Sequence, residues 1–262
     1  MLVRIISAAV ALPLFIAIIF FLPSIALTAA CSLFMLVGAH ELLSGTGAVK
    51  NKLAIGSAMV CAAGVPWWMH FGCIPEILLG AVFAEVLILF GIRMARGDFG
   101  FDRISMSLFG AFIMPVLFSL LVLLRAGEDW SRVVLLPFIV AWASDTGAYF
   151  AGSFFGKHKL CPSLSPKKTV EGAIGGLLLA AVGGVVYGLI VGKADLILLA
   201  VIGLLGSAVG QFGDLMFSCI KREYGIKDYG KLMPGHGGVL DRFDSSVVTI
   251  PLVWLILRIV SL

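Results

Sequence analysis

The feature that most constrains this chain is a near-unbroken succession of apolar runs, parted by short polar segments. A helix rises about 1.5 Å per residue, so about 20 apolar residues cross the hydrocarbon layer of a bilayer. Nine such runs are read, at about 5–22, 24–43, 53–71, 77–95, 107–125, 133–152, 171–192, 195–216 and 245–261. Only 13% of the residues are charged and 60% are hydrophobic, with a mean hydropathy of +1.09. Soluble domains carry about 25% charged residues, so an ordinary soluble domain is excluded. The expected fold is all-α: a polytopic integral membrane protein of about nine transmembrane helices.

With nine spans the connections alternate between the two membrane faces. One face then collects fifteen of the 19 Lys and Arg, and the other keeps Arg125, Arg132, Lys193 and Arg258. Basic loops stay in the cytoplasm, so the richer face is expected there, with the C-terminus outside. Residues 1–130 form an N-terminal region of about five spans with short loops. Residues 131–262 form a region of about four spans with two cytoplasmic polar loops, 153–170 and 217–244, and carry nearly all the unusual residues. No internal repeat is visible, which weighs against a repeat-built transporter. The five cysteines are scattered without metal-ligand spacing and read as small apolar residues in helices. The apolar run before Cys31 is long for a signal-peptide core and further spans follow, so it is read as a span.

Two runs carry stripes of small residues. Gly203, Gly206, Gly210 and Gly213 share one helix face, and Gly172, Gly176, Ala180, Gly183 or Gly184, and Gly188 make a similar pattern on another. Such faces let helices approach closely, within the chain or between copies. The first stripe delivers Asp214 to the cytoplasmic end of its span.

The stretch "KREYGIKDYGKLMPGHGGVLDRFDS", Lys221 to Ser245, is densely polar between two apolar runs. Asp241 and Asp244 are three apart, so in a helix they share a face. With Asp214 they make three carboxylates near one membrane depth, which repel unless a cation neutralises them. Mg²⁺ suits oxygen donors, using one or two carboxylates plus substrate phosphates. The alternative is a pair of solvated acids at a helix N-terminus, favoured by the dipole. Around them stand Lys221, Arg222, Lys227, Lys231 and Arg242, with Lys167 and Lys168 in "SLSPKKTVEG". These are parts that hold and polarise phosphates, or else residues that set topology and touch anionic lipid. Asp145, with Ser144, Thr146 and Tyr149 beside it, suggests a polar cavity inside the sixth run. Glu85 lies mid-span and is expected to pair with a helix neighbour. Glu41 stands near the cytoplasmic end of the second run and is expected to snorkel to the surface. His236, in "PGHGG", is structural or touches phosphate; a phosphate nucleophile is already ionised and needs no general base.

The run S-x-x-K-R, then K-D, P-G-H-G-G and D-R-x-D, complete and in order from Ser218 to Asp244, resembles the signature of the CDP-diacylglycerol synthases (phosphatidate cytidylyltransferases). "SDTGAYFAGSFFGKHKL" and "LSPKKTVEGAIGG" resemble that family's other marked segments, and the likeness covers about residues 140–250. It implies condensation of CTP with phosphatidate to CDP-diacylglycerol and diphosphate, in a homodimer of the cytoplasmic membrane whose site faces the cytoplasm. Its partners are CTP, phosphatidate and membrane lipids, and no nucleic acid. It implies Mg²⁺ held by the residues matching Asp214, Asp241 and Asp244, and allows a second, monovalent cation such as K⁺. Catalytic roles are expected for Lys221, Arg222, Asp241 and Asp244. Substrate contacts are expected from Asp145, Ser165, Lys167, Lys168, Thr169, Lys227, Asp228, His236, Gly237, Gly238 and Arg242. A CTP-dependent lipid kinase, or a cytidylyltransferase for another lipid phosphate, stays open as the related alternative. A transporter using Asp145 and Glu85 is the unrelated one.

Overall fold

The structure, a computed structural model, describes residues 13, 15–127, 131–192, 195–230 and 237–260. Among them seven helices are long and apolar enough to cross a membrane, not the nine expected. Two runs account for the difference. The run at 5–22 falls largely outside the described residues. The run at 133–152 does form a helix, α6 (Leu136–Phe155), but it is not apolar enough to count as a span. Ser144, Asp145, Thr146, Tyr149 and Ser153 interrupt it.

By internal packing the chain divides into two units, Met1–Leu123 with Tyr224–Arg242, and Leu124–Glu223 with Phe243–Leu262. The first unit opens with α1 (Ser24–His40), which runs into a π-helical turn, Glu41–Gly45. Helix α2 (Lys52–His70) starts at Asn51, whose side chain accepts from the Leu53 and Ala54 N–H groups and so satisfies two donors that a helix start leaves open. Helix α3 (Pro75–Arg96) begins on a proline and ends at Gly97, whose φ of 69° is the left-handed conformation that stops a helix. Helices α4 (Phe101–Leu108) and α5 (Met114–Ala126) are joined through a second π turn, Phe109–Ile113, into one candidate span. The core of this unit gathers Leu43, Val49, Ala54, Ala58, Met69, Leu89 and Phe112.

The second unit holds α6, a short antiparallel hairpin of β1 (Lys159–Cys161) and β2 (Ser165–Thr169), then α7 (Val170–Val191) and α8 (Leu196–Glu223). It also takes α9 (Leu240–Val260) from Phe243 onward. The hairpin was not expected from the sequence. Both glycine stripes pack within the chain. A Cβ at Gly203 would stand 2.5 Å from the Ala180 carbonyl oxygen, and one at Gly184 would stand 2.5 Å from that of Leu199. Farther along α8, a Cβ at Gly206 would meet Val140 and one at Gly210 would meet Thr249 Oγ1 at 2.8 Å. Helices without side chains at the contact come close enough for backbone to touch backbone, which is how apolar helices associate where no water drives them together. Helix α8 also runs on past the expected end at 216, so Lys221 and Arg222 lie in its last turn and not in a loop. Cations are favoured there by the helix dipole.

Candidate active site

In the second unit, α8 and α9 meet most tightly at Gly213, where a Cβ would collide with Val248 and lie 3.2 Å from the Asp244 carbonyl oxygen. That contact sets the level of the acids. Asp214 follows directly on α8. Ser218 is one turn on and Lys221 two turns on, all on one face. Asp214 Oδ1 accepts from Ser218 Oγ at 3.3 Å, and its Oδ2 pairs with Lys168 Nζ at 2.5 Å. Asp244, in the second turn of α9, pairs through Oδ2 with Lys221 Nζ at 3.9 Å, and its Oδ1 accepts from the Ser245 N–H. The two pairs differ in environment. The Lys168 and Asp214 side chains keep 26% and 29% of their exposure, and those of Lys221 and Asp244 keep 10% and 13%.

The hairpin places Lys168. Strand β2 ends at Thr169, which is buried and whose Oγ1 accepts from the Gly172 N–H to cap α7. One residue earlier, Lys168 is thereby fixed at a strand-to-helix junction. The chain just ahead of the hairpin is tied down by Glu171, which accepts from the Lys157 and His158 N–H groups and pairs with His158 Nδ1 at 2.6 Å. Arg222 Nε donates to the Leu164 carbonyl oxygen at 3.3 Å, tying the hairpin turn to the end of α8. Glu171 was missed in the sequence; its position three residues after Lys168, inside a basic stretch, was the available signal.

Of the other expected residues, Ser165 is half-buried in β2 and Lys167 is exposed on it. Asp145 is exposed, as are Thr146 and Tyr149, while Ser144 is buried on the opposite face of α6. Asp145 stands within electrostatic reach of Asp244. On the Ser144 side lies a buried network: Ser144 Oγ and Ser207 Oγ lie 2.7 Å apart, and Gln211 Nε2 donates to Ser207 Oγ and to the Ala173 carbonyl oxygen.

In the first unit, Lys227 and Asp228 are exposed, and so is Arg242. His236 and Lys231 lie outside the described residues. Asp241, one residue into α9, is buried, and its Oδ2 accepts from the Tyr229 N–H at 2.8 Å and the Gly238 N–H at 3.0 Å. Gly237 reaches that turn with φ +87°, a conformation side chains resist. Glu41 does not snorkel. It is 5% exposed, and its carboxylate accepts from the Val239 and Leu240 N–H groups at 3.0 and 2.9 Å. Glu85 is buried and accepts from Ser57 Oγ at 3.1 Å, the helix-neighbour pairing expected of it.

Among the described residues no three His, Cys, Asp or Glu side chains form a ready metal cluster. The donor set of the second unit nevertheless fits a hard divalent cation. Asp214 and Asp244 are oxygen donors whose charge a lysine ammonium now offsets, and Mg²⁺ usually takes one or two carboxylates with the rest from substrate phosphates and water. Two lysines beside two aspartates supply both signs of charge that phosphate chemistry uses.

The chain matches the Cytidylyltransferase family over residues 2–260 and belongs to it. It is 37% identical over 183 residues to a phosphatidate cytidylyltransferase of Bacillus subtilis, covering 69% of this chain and 68% of that one. It is 47% identical over 125 residues to the phosphatidate cytidylyltransferase of Staphylococcus saprophyticus and 46% identical over 126 residues to that of Staphylococcus aureus. Those alignments span 47% of this chain and 48% of each staphylococcal relative.

Proposed function

We propose that this member of the cytidylyltransferase family is a phosphatidate cytidylyltransferase, converting CTP and phosphatidate to CDP-diacylglycerol and diphosphate. The observation that carries the reading is the matched set Lys168–Asp214 and Lys221–Asp244, in a chain whose relatives bear that name. A phosphate oxygen of phosphatidate attacks the α-phosphorus of CTP. One P–O bond forms there, the bond to the bridging oxygen breaks, and diphosphate leaves with the electron pair. The lipid brings its own ionised nucleophile, so no side chain need become one; the chain's task is to orient the substrates and offset charge. Lys168, Lys221 and Arg222 are the cations proposed to hold the phosphates, with Lys167, Lys227 and Arg242 as exposed cations that meet CTP from water. Thr169, Ser165, Asp228, His236, Gly237 and Gly238 are proposed to shape the phosphate-binding segments, and Asp145 to touch substrate from α6.

Asp214 and Asp244 are the proposed ligands of Mg²⁺. Asp241, one turn before Asp244 on the same helix, is the third carboxylate that the family resemblance implies. When bound, Mg²⁺ supplies charge neutralisation at the phosphates and the leaving diphosphate. K⁺ is proposed as a second cation and a homodimer as the working form. The chemistry is placed in residues 131–262, at the cytoplasmic face of the cytoplasmic membrane. The basic residues of segments 153–170 and 217–244 support that side, as does the need to admit a water-borne nucleotide.

The test is turnover by purified protein in phosphatidate micelles with CTP, with and without Mg²⁺. Formation of a CDP-lipid with one diphosphate released per turnover is expected. Release of CDP without a CDP-lipid would establish the lipid-kinase alternative instead.

A further inference from the structure

We infer that Glu41 is a positioning residue: its carboxylate sets the first turn of α9, the helix that carries Asp241 and Asp244. This rests on the proposed reaction, in which those aspartates serve. A helix start leaves N–H groups without partners, and a side-chain oxygen at the residue before the helix normally takes one. Here that residue is Val239, which has no such oxygen. Glu41 supplies the acceptor from 198 positions earlier in the chain, one oxygen to the Val239 N–H and the other to the Leu240 N–H. A carboxylate on the N–H groups of a helix start is favoured both as a charge-assisted hydrogen bond and by the helix dipole.

The surroundings are shaped to this contact. Glu41 begins the π turn that closes α1, and single π turns recur at functional sites. A Cβ at Gly238 would stand 2.5 Å from Glu41 Oε2, and a Cβ at Gly230 would press on the same carboxylate. Gly45, in the π turn, is equally tight against the Tyr229 carbonyl oxygen. The glycines at 230 and 238 thus leave the space that the carboxylate fills. Asp241 draws in the other strand of the loop through the Tyr229 and Gly238 N–H groups. Tyr229 and residues 238–240 accordingly meet two buried carboxylates, Asp241 from within the segment and Glu41 from outside it. Both oxygens of the Glu41 carboxylate are engaged by the helix start, so its influence on turnover passes through that start.

The experiment compares wild-type protein with Glu41→Gln, which keeps the side chain's length but replaces one acceptor with an NH₂ donor facing a backbone N–H. Three readouts are taken: kcat and KM for CTP and phosphatidate per folded molecule, the unfolding midpoint in detergent, and amide hydrogen exchange at Val239 and Leu240. The expected result is a kcat lower by about tenfold or more with KM for phosphatidate within about twofold, and faster exchange confined to the α9 start. Unchanged kcat in a folded Glu41→Gln protein would overturn the inference. So would a lowered midpoint with kcat per folded molecule retained, since that marks a stabilising role alone. If Glu41→Gln does not fold, Gly230→Ala presses on the same carboxylate while leaving it in place, and the same kcat loss is expected. Wild-type protein that makes no CDP-lipid would overturn the proposed reaction. The exchange measurement still decides in that case whether Glu41 sets the helix start.

Discussion

Distance and burial rank the two lysine–aspartate pairs in opposite orders, so their stabilities can be set against each other. Coulomb's law at an effective dielectric of about 20 gives about 7 kcal/mol of gross attraction at the Lys168–Asp214 separation and about 4 at that of Lys221–Asp244. Those figures precede the cost of desolvation and differ from what a measurement returns. The shorter pair keeps roughly a quarter of its exposure, so water and salt screen it. The longer pair is largely sheltered, and removing one partner strands the other charge. Double-mutant cycles with Lys168→Met and Asp214→Asn, and with Lys221→Met and Asp244→Asn, are therefore expected to give a coupling under about 1 kcal/mol for the first pair and about 1–3 kcal/mol for the second. The assay is unfolding of detergent-solubilised protein at low and at about 0.5 M KCl, where the first coupling should shrink and the second persist. A larger, salt-insensitive coupling for Lys168–Asp214 would show that separation outranks burial at this site and refute the reasoning.

Further outcomes follow from individual contacts. Gly203→Ala places a methyl 2.5 Å from the Ala180 carbonyl oxygen and 2.7 Å from Ala181 Cα, and should destabilise by about 1–3 kcal/mol. Gly56→Ala, mid-helix and with nothing within 4 Å of its Cβ position, should be neutral or stabilise by up to about 1 kcal/mol; the two unfolding midpoints compared side by side check this. Asp214→Asn and Asp244→Asn should each lower kcat by about a hundredfold or more in the CDP-lipid assay, and unimpaired turnover would sink their assignment as metal ligands. Cys161 in the hairpin should react with a membrane-impermeant maleimide in inverted vesicles; reaction in right-side-out vesicles instead would invert the proposed orientation.

Much of the helical framework was legible in advance because a span is a local property. The expected runs at 53–71 and 171–192 differ from Lys52–His70 and Val170–Val191 by a residue at each end. The glycine stripes announced close packing, and close packing is what they do. Errors arose where composition and conformation part. Helix α6 forms a regular helix although its polar residues make it a poor span by hydropathy. Helix α8 continues past its apolar portion because Lys221 and Arg222 are good helix formers and suit its C-terminal end. In the site, "DRFD" was readable as a helix start, and α9 indeed begins at Leu240. Ser144 and Asp145, neighbours in sequence, lie about 100° apart around a helix, so the first is buried and the second exposed, which a reading of adjacent polar residues as one group does not separate.

The sequence by itself determined that this chain belongs in a membrane, where its close helix contacts fall, and which short segments carry charge for phosphate chemistry. Those properties reside in composition, periodicity and contiguous motif, and need no knowledge of distant partners. Only the tertiary structure decided that Lys168 meets Asp214 while Lys221 meets Asp244, and that Glu41 caps a helix beginning at Leu240. Such pairings depend on how far one helix slides and turns against another. A glycine contact at Gly213 or a π turn at Glu41 sets that register, and no local pattern encodes the residue waiting on the other side.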